Sequence, residues 1–350
     1  MPPSPATDLP ARLLAAWPAA AWSDVHVLVA LSGGPDSVAL LRALLAAKQQ
    51  VGGAGKLFAG HVDHSLRGDQ STADAEWLAA ECRRLGVPLF IEKANVGEVA
   101  EVRGDGMEEA ARTTRYAILT RMAETLGARF VALGHHRDDQ LETILFRLLR
   151  GSGLRGLAGM PATRPLSPSV VAVRPLLGVG RSEIADYLAA IGQASREDET
   201  NQDAEVAARN AVRHELLPPI RGRFGKSAEA AILRTAEQAA AAQLFIDEQA
   251  AALLAECQMV HERSAAGDTT SVTLQTTPLA EAAPLLISEV LRQAWRTAAW
   301  PEQAMTYHWW RQLAQFAQSP ENASPLNLPG DIRASRPAPG VLSLRRGTLS

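Results

Sequence analysis

Six consecutive residues, Ser32-Gly33-Gly34-Pro35-Asp36-Ser37, have the types needed to hold a phosphate chain. Two glycines directly after a buried strand let backbone N–H groups converge on an anion. The helix that follows points its positive end at the same spot. The hydroxyls of Ser32 and Ser37 can donate to phosphate oxygens, and the carboxylate of Asp36 can hold Mg²⁺ against them. The loop has no Walker-type lysine. Gly225-Lys226-Ser227 lies downstream, but Ile220 stands where that motif needs its first glycine, so it reads as a helix start. A second group is His135, Asp139 and Glu142, whose i, i+4, i+7 spacing puts them on one helix face. Leu141, Ile144, Leu145 and Leu148 form the apolar face about 120° around. Dipole-favoured acids at a helix start account for Asp138 and Asp139 but not for His135 and His136, which favours chemistry over a solvated face. Arg112 and Arg115, one turn apart, make a fork suited to phosphate or carboxylate.

The elements that must position these residues alternate. Residues 25–31 (VHVLVAL) are continuously apolar and β-branched, the pattern of a strand buried on both faces. Helix is predicted at 38–47, strand at 57–62, helix at 73–85, strand at 87–92, helix at 107–126, strand at 129–133 and helix at 138–150. Strands alternating with longer helices imply a doubly wound parallel sheet that binds ligands at the carboxyl ends of its strands. A Gly-, Pro- and Arg-rich loop over 151–177 contains a short strand at 170–173, and helices follow at 182–191 and 204–217. Pro218-Pro219 is taken as the end of this domain. A long Ala-rich helix occupies 227–258. A smaller, mostly helical segment follows, with a strand at 269–274, helices at 279–297 and 304–318, and a Pro-rich β-like ending. The expected domains are 1–218 (catalytic), 219–258 (linker helix) and 259–350.

With 350 residues, 47% hydrophobic, the chain can bury one large or two modest cores, which excludes a disordered tail or a disulfide mini-scaffold. Cys82 and Cys257 have no CxxC spacing, so neither a zinc ribbon nor a redox pair is expected. Residues 13–22 are apolar, but Asp8 and Arg12 precede them and Pro18 interrupts, so a packed helix is expected rather than a secretion signal. No apolar run approaches a membrane span, and the expected location is the cytoplasm. The net charge of −3 supplies no global attraction for nucleic acid. Charge placement says more: Arg147, Arg150, Arg155, Arg164, Arg174 and Arg181 lie in a stretch, 147–182, without one Asp or Glu. A second basic group is Arg209, Arg213, Arg221, Arg223 and Lys226.

Taken together these motifs resemble a known family. SGGPDS after the first strand is the signature of the PP-loop ATP pyrophosphatases, a Rossmann-like fold also described as adenine nucleotide alpha hydrolase-like. The motifs HVDHSLR (61–67), ARTTRY (111–116), GHHRDDQLET (134–143), RPLL (174–177) and RNAVRH (209–214) follow in order. The set is similar to the tRNA(Ile)-lysidine synthetases, densely over 25–218 and sparsely beyond, with LxLPGxxxxxR at 326–336 resembling the end of that family's first C-terminal domain. On that resemblance the chain is a short form lacking a second C-terminal domain. The resemblance implies a ligase that adenylates the C2 oxygen of the wobble cytidine in tRNA(Ile) with a CAU anticodon. Free L-lysine then attacks C2 to form lysidine, releasing AMP and pyrophosphate.

It implies that Ser32, Gly33, Gly34, Pro35, Asp36, Ser37, His61, Asp63, Arg112 and Arg115 bind ATP, with Asp36 on Mg²⁺. Asp36, His135, Asp139, Glu142 and Arg209 would carry the reaction, the two acids holding the lysine ammonium and His135 assisting on the phosphate side. The acid-free arginines, helped by Arg221, Arg223 and Lys226, would grip the tRNA, and a homodimer is among the expectations. Read without the family, HxDH (61–64) and HHxDD (135–139) could ligate two transition metals. Ala59, where metallohydrolases need His, and an otherwise idle SGGPDS loop oppose that. The alternative within the fold is another PP-loop tRNA-modifying enzyme such as a thiolase, which the unpaired cysteines oppose. The alternative outside it is a nucleotide-binding module without turnover.

Overall fold

The computed structural model describes residues 8–63, 69–94, 107–196, 208, 210–319 and 323–347. They form two compact units, 1–237 and 238–350.

The first unit is built on β1 (His26–Ala30), whose Val27, Leu28 and Val29 are fully buried. Such burial on both faces is what a central parallel strand requires. Beside it run β2 (Leu57–Asp63), β3 (Leu89–Lys93), β4 (Ala128–Ala132) and, past a short antiparallel strand β5 (Thr163–Pro165), β6 (Val171–Val173). The order is β3-β2-β1-β4-β6-β5, parallel apart from the β5–β6 pair. The chain moves outward from β1 to β3, then returns to β4 on the other side of β1. Strand order therefore reverses between β1 and β4, and the loops leaving their carboxyl ends diverge to open a crevice.

The helices are α1 (Leu9–Ala16), α2 (Pro35–Val51), α3 (Asp69–Leu85), α4 (Met107–Thr125), α5 (Arg137–Leu149), α6 (Leu154–Leu157) and α7 (Arg181–Ala190). The expected N-terminal packing helix is present as α1. It buries Leu9 and Leu13, the rings of Trp17 and Trp22 stack at 5.4 Å behind it, and Arg12 pairs with Glu183 of α7.

Pro218 and Pro219 lie in the first turn of α8 (Leu217–Phe224), where a missing N–H costs no helical bond, and the first compact unit runs on to residue 237. One expectation changes. The mostly helical C-terminal segment is corrected to a five-stranded antiparallel sheet carrying two helices. After α9 (Lys226–Glu256), the strands β7 (Val260–Arg263), β8 (Thr269–Gln275), β9 (Leu326–Leu328), β10 (Ile332–Ala338) and β11 (Val341–Arg346) pair in the order β7-β8-β11-β10-β9. The helices are α10 (Pro284–Thr297) and α11 (Tyr307–Ala317), and Trp295 meets Trp300 and Trp310 edge-on at 5.2 and 5.4 Å. The strands were hard to read because half of each faces water. β10 buries only Ile332 and Ala334 among arginines, a serine and a proline.

Candidate active site

The crevice places the loop after β1 against the loop after β4. Gly134 shows how close they are: a Cβ there would lie 3.0 Å from the backbone of Asp36 and Ser37. Gly134→Ala should therefore push the two loops apart and weaken binding of a phosphorylated nucleotide about tenfold or more, roughly 1–3 kcal/mol for overpacking. Calorimetric titration with ATP would check this, and unchanged affinity in the folded variant would refute the tight fit.

The phosphate-type loop is folded on itself. Gly33 has φ +95°, a conformation that L side chains rarely adopt. Ser37 donates its hydroxyl to the Gly34 carbonyl at 3.0 Å and accepts the Ser32 N–H at 3.2 Å. The Ser32 hydroxyl accepts the Gly34 N–H at 3.3 Å. Pro35 opens α2 at its first turn, and the amides there lack helical partners. Asp36 follows at the positive helix end. Its Oδ2 lies 3.5 Å from His136 Nε2, and its Oδ1 is buried with no hydrogen-bond partner among the described residues. An orphaned carboxylate oxygen beside unpaired amides fits a divalent cation bound together with phosphates. Among the described residues, no group of three or more His, Cys, Asp or Glu is placed to hold a metal by itself.

The opposite wall is the start of α5. His136, 2% exposed, is its N-cap. Its Nδ1 accepts the Asp139 N–H at 3.3 Å, and Asp139 Oδ2 accepts the His136 N–H at 3.0 Å. This reciprocal box leaves Nε2 to carry the ring proton and point it at Asp36. Burial alone would lower the His136 pKa, but the Asp36 bond and the charges of Asp139, Asp36 and Asp138 outweigh it and raise it. Asp139 is itself held above its ordinary value, by burial first and by Glu142 and Asp36 against the lowering effect of His136. Glu142 is buried and receives a two-point bond from Arg213, Nε to Oε1 at 2.6 Å and Nη2 to Oε2 at 3.0 Å. Arg213 Nη2 also stands 3.6 Å from Asp139 Oδ1. Arg213 lies in a π-helical turn, Val212–Leu216, a distortion that recurs at functional sites.

His135 is half-buried, and among the described residues its Nδ1 has no hydrogen-bond partner. Burial, with the guanidiniums of Arg174, Arg115 and Arg112, pushes its pKa down to about 3. The ring is thus neutral wherever the protein works. Below its ordinary pKa of 6.5 the unfolded chain takes up a proton that the folded chain refuses. Stability should fall as pH drops from about 6.5 towards 3 through this group. His135→Asn should flatten that part of the stability profile, and an unchanged slope in urea melts across the window would show that His135 titrates normally.

The sequence-predicted residues divide as follows. Asp36, His135, Asp139 and Glu142 line the crevice loops. His61 is buried at the end of β2, its Nδ1 donating to the Leu31 carbonyl at 2.8 Å, so it braces the loop from behind. Asp63 is buried two residues on. Arg112 lies with its Cζ 5.4 Å from the Tyr116 ring centre, and Arg115 is exposed on the same helix. Arg209 and the segment 64–68 lie outside the described residues.

Two expected RNA contacts are otherwise engaged. Arg147 donates to the Gly159 carbonyl at 2.7 Å, tying down the loop beyond α5, and Arg221 pairs with Asp138 and Glu229. His136 and Arg213 were missed as the partners that hold Asp139 and Glu142. A polar residue three before Asp139 is a cap signal, but imidazole is an uncommon cap. The Arg213–Glu142 pair spans 71 positions and leaves no local trace.

Residues 12–220 match the model of the PP-loop domain. A tRNA(Ile)-lysidine synthase of Symbiobacterium thermophilum is 43% identical over 212 residues, 61% of this chain and 43% of that protein. The synthase of Pseudomonas fluorescens is 42% identical over 266 residues, 74% of this chain and 55% of that protein. The chain thus spans about half the length of these curated relatives. A solved U34-tRNA thiolase from Methanococcus maripaludis, which carries a [4Fe-4S] cluster, superposes with TM-score 0.56 at 18% identity. It covers 66% of this chain and 78% of the thiolase, a likeness of fold alone.

Proposed function

Because this chain belongs to the PP-loop family, we propose that it ligates free L-lysine to C2 of the wobble cytidine in a CAU-anticodon tRNA(Ile), consuming ATP. The relatives that carry this activity by name supply the substrates. The observation that carries the reading is one connected run of contacts across the crevice, Asp36–His136–Asp139–Arg213–Glu142, in which His136 and Asp139 each bind the other's backbone N–H. It joins a phosphate-type loop at one end to a pair of carboxylates suited to an amine at the other.

In the first step the cytidine O2 attacks the α-phosphorus of ATP, an O–P bond forms, and pyrophosphate leaves. The loop amides around Gly33 and Gly34 bind the departing phosphates. Mg²⁺, when bound, neutralises their charge, and Asp36, with its unpartnered Oδ1, is the residue to hold it. His135, neutral, adds a hydrogen bond without adding charge. In the second step the lysine ε-amine attacks C2, and AMP leaves with the bonding electrons. That amine is an ammonium of pKa ~10.4 in water and must shed a proton. Asp139, its pKa raised, is a stronger base than an ordinary carboxylate, and Oδ1 is the acceptor. Arg209 is proposed at the same centre.

The thiolase alternative finds no support in the cysteines. Cys82 and Cys257 are both fully buried, and burial pushes each thiol up to about 11. The catalytic domain (1–218), linker helix (219–258) and RNA-binding C-terminal domain (259–350) are part of this proposal, as are a homodimer and a cytoplasmic location. Among the described residues no helix is long and apolar enough to cross a membrane. The test is mass analysis of nucleosides from tRNA(Ile) incubated with protein, ATP and lysine. Absence of lysidine while ATP binds would overturn the reading.

A further inference from the structure

Three arginines converge on one phenol in the first unit, and among the described residues no acid balances them. Tyr116, on α4, is 8% exposed. The Cζ of Arg164, on β5, lies 4.6 Å from its ring centre, and that of Arg112 lies 5.4 Å away. Arg174, just past β6 and 4% exposed, donates from Nη2 to the Tyr116 hydroxyl at 3.2 Å and from Nη1 to the Pro161 carbonyl at 2.8 Å. Its Nε is buried with no hydrogen-bond partner among the described residues. Among the described residues no carboxylate pairs with Arg112, Arg164 or Arg174. A buried guanidinium normally has a carboxylate or an equivalent anion, because the charge is otherwise costly to take out of water.

The electrostatics register the imbalance. Burial pushes the Arg174 pKa down, and Arg164 and Arg112 push it the same way. Burial would raise the Tyr116 pKa, yet Arg112, Arg174 and Arg115 reverse it. The three arginines therefore repel one another across a polarised phenol whose hydroxyl accepts from Arg174 and retains its own hydrogen to donate. Planar forks and a phenolic O–H are complementary to the oxygens of a tetrahedral phosphate.

We propose that Arg164, Arg174 and Tyr116, with Arg112 serving here rather than on ATP as the family resemblance implies, form a binding site for a phosphodiester of the RNA strand, next to the nucleotide being modified. RNA is favoured over the nucleotide's own phosphates for two reasons on the molecule. The loop 32–37 already offers those phosphates a cradle, and Arg164 is exposed on an edge strand, open to a strand arriving from solvent. The site adjoins the crevice, since Arg174, Arg115 and Arg112 all act on His135, which begins the opposite wall. The proposal rests on the RNA-modifying reading above.

The test uses the full chain, a fluorescent anticodon stem-loop RNA and ATP, with anisotropy measured across 50–200 mM KCl. Arg164→Ala, at an exposed position, should leave thermal melting unchanged and weaken RNA binding about five- to tenfold. It should reduce the slope of log affinity against log salt by about 0.7, one released counterion contact on a single strand. Tyr116→Phe should weaken binding in the same direction. ATP affinity of Arg164→Ala should match wild type. Wild-type RNA affinity and slope in both variants would overturn the site. A drop in ATP affinity with RNA affinity preserved would overturn the RNA assignment in favour of a nucleotide phosphate. Failure of the wild-type protein itself to bind the RNA would refute the RNA-modifying reading and the RNA assignment with it.

Discussion

Replacing Asp36 by Asn should cut Mg²⁺-dependent pyrophosphate release by about 10²–10³-fold while leaving the fold intact, the loss typical when one preorganised charge at a reacting phosphate is removed. The side chain is part-exposed on the first turn of α2 rather than in the core, and the amide oxygen of Asn can still accept from His136. What disappears is the negative charge on the oxygen that has no hydrogen-bond partner among the described residues. A neutral amide is a poor ligand for a hard divalent cation, so raising Mg²⁺ should recover part of the rate. Pyrophosphate release near wild type by folded Asp36→Asn would remove Asp36 from the site.

The second large effect concerns Arg213 and Glu142. If the Glu142 carboxylate receives the substrate ammonium, Arg213 occupies its place in the free protein and must be displaced. Arg213→Ala should then lower the lysine KM while reducing stability by about 1–3 kcal/mol, the cost of a broken charged bond in a half-buried setting. Glu142→Gln should do the opposite to KM, raising it tenfold or more, and adenylated RNA should accumulate. ATP affinity should change little in both. Lysine KM rising in Arg213→Ala as well would show that Arg213 orders the carboxylates for the amine instead of competing with it.

How much of this could be read from the chain depends on the range of the interaction involved. β1 and the loop after it were legible because a continuous β-branched run and two glycines declare themselves within a dozen residues. The crevice followed from the alternation of strands and helices alone. β5 was invisible: Thr163, Arg164 and Pro165 are all exposed, so no alternation marks them as paired. β9, β10 and β11 were read only as a vague β-like ending, for the same reason of short, half-wet strands. In the site, residue types were legible but their occupation was not. Glu142 reads as a free carboxylate until Arg213 is seen to hold it, and His136 reads as a ligand until its ring is seen to cap a helix. Arg147 and Arg221 read as RNA contacts because nothing near them in sequence shows the carbonyls and carboxylates they already serve.

The imidazole of His136 has a mechanical consequence. Nε2 touches Asp36, while Nδ1 and the backbone amide of the same residue set the first turn of α5 and, with it, the oxygens of Asp139. One rigid ring is thus a strut between the two half-sites, with no slack for either to move alone. A load on Asp36 is transmitted to the amine-facing carboxylate, and a load on that carboxylate returns to Asp36. By thermodynamic reciprocity, whatever factor ATP imposes on lysine affinity, lysine must impose on ATP affinity. Such a strut should make that factor differ from one, and His136→Ala should bring it back towards one, read as ATP titrations with and without lysine.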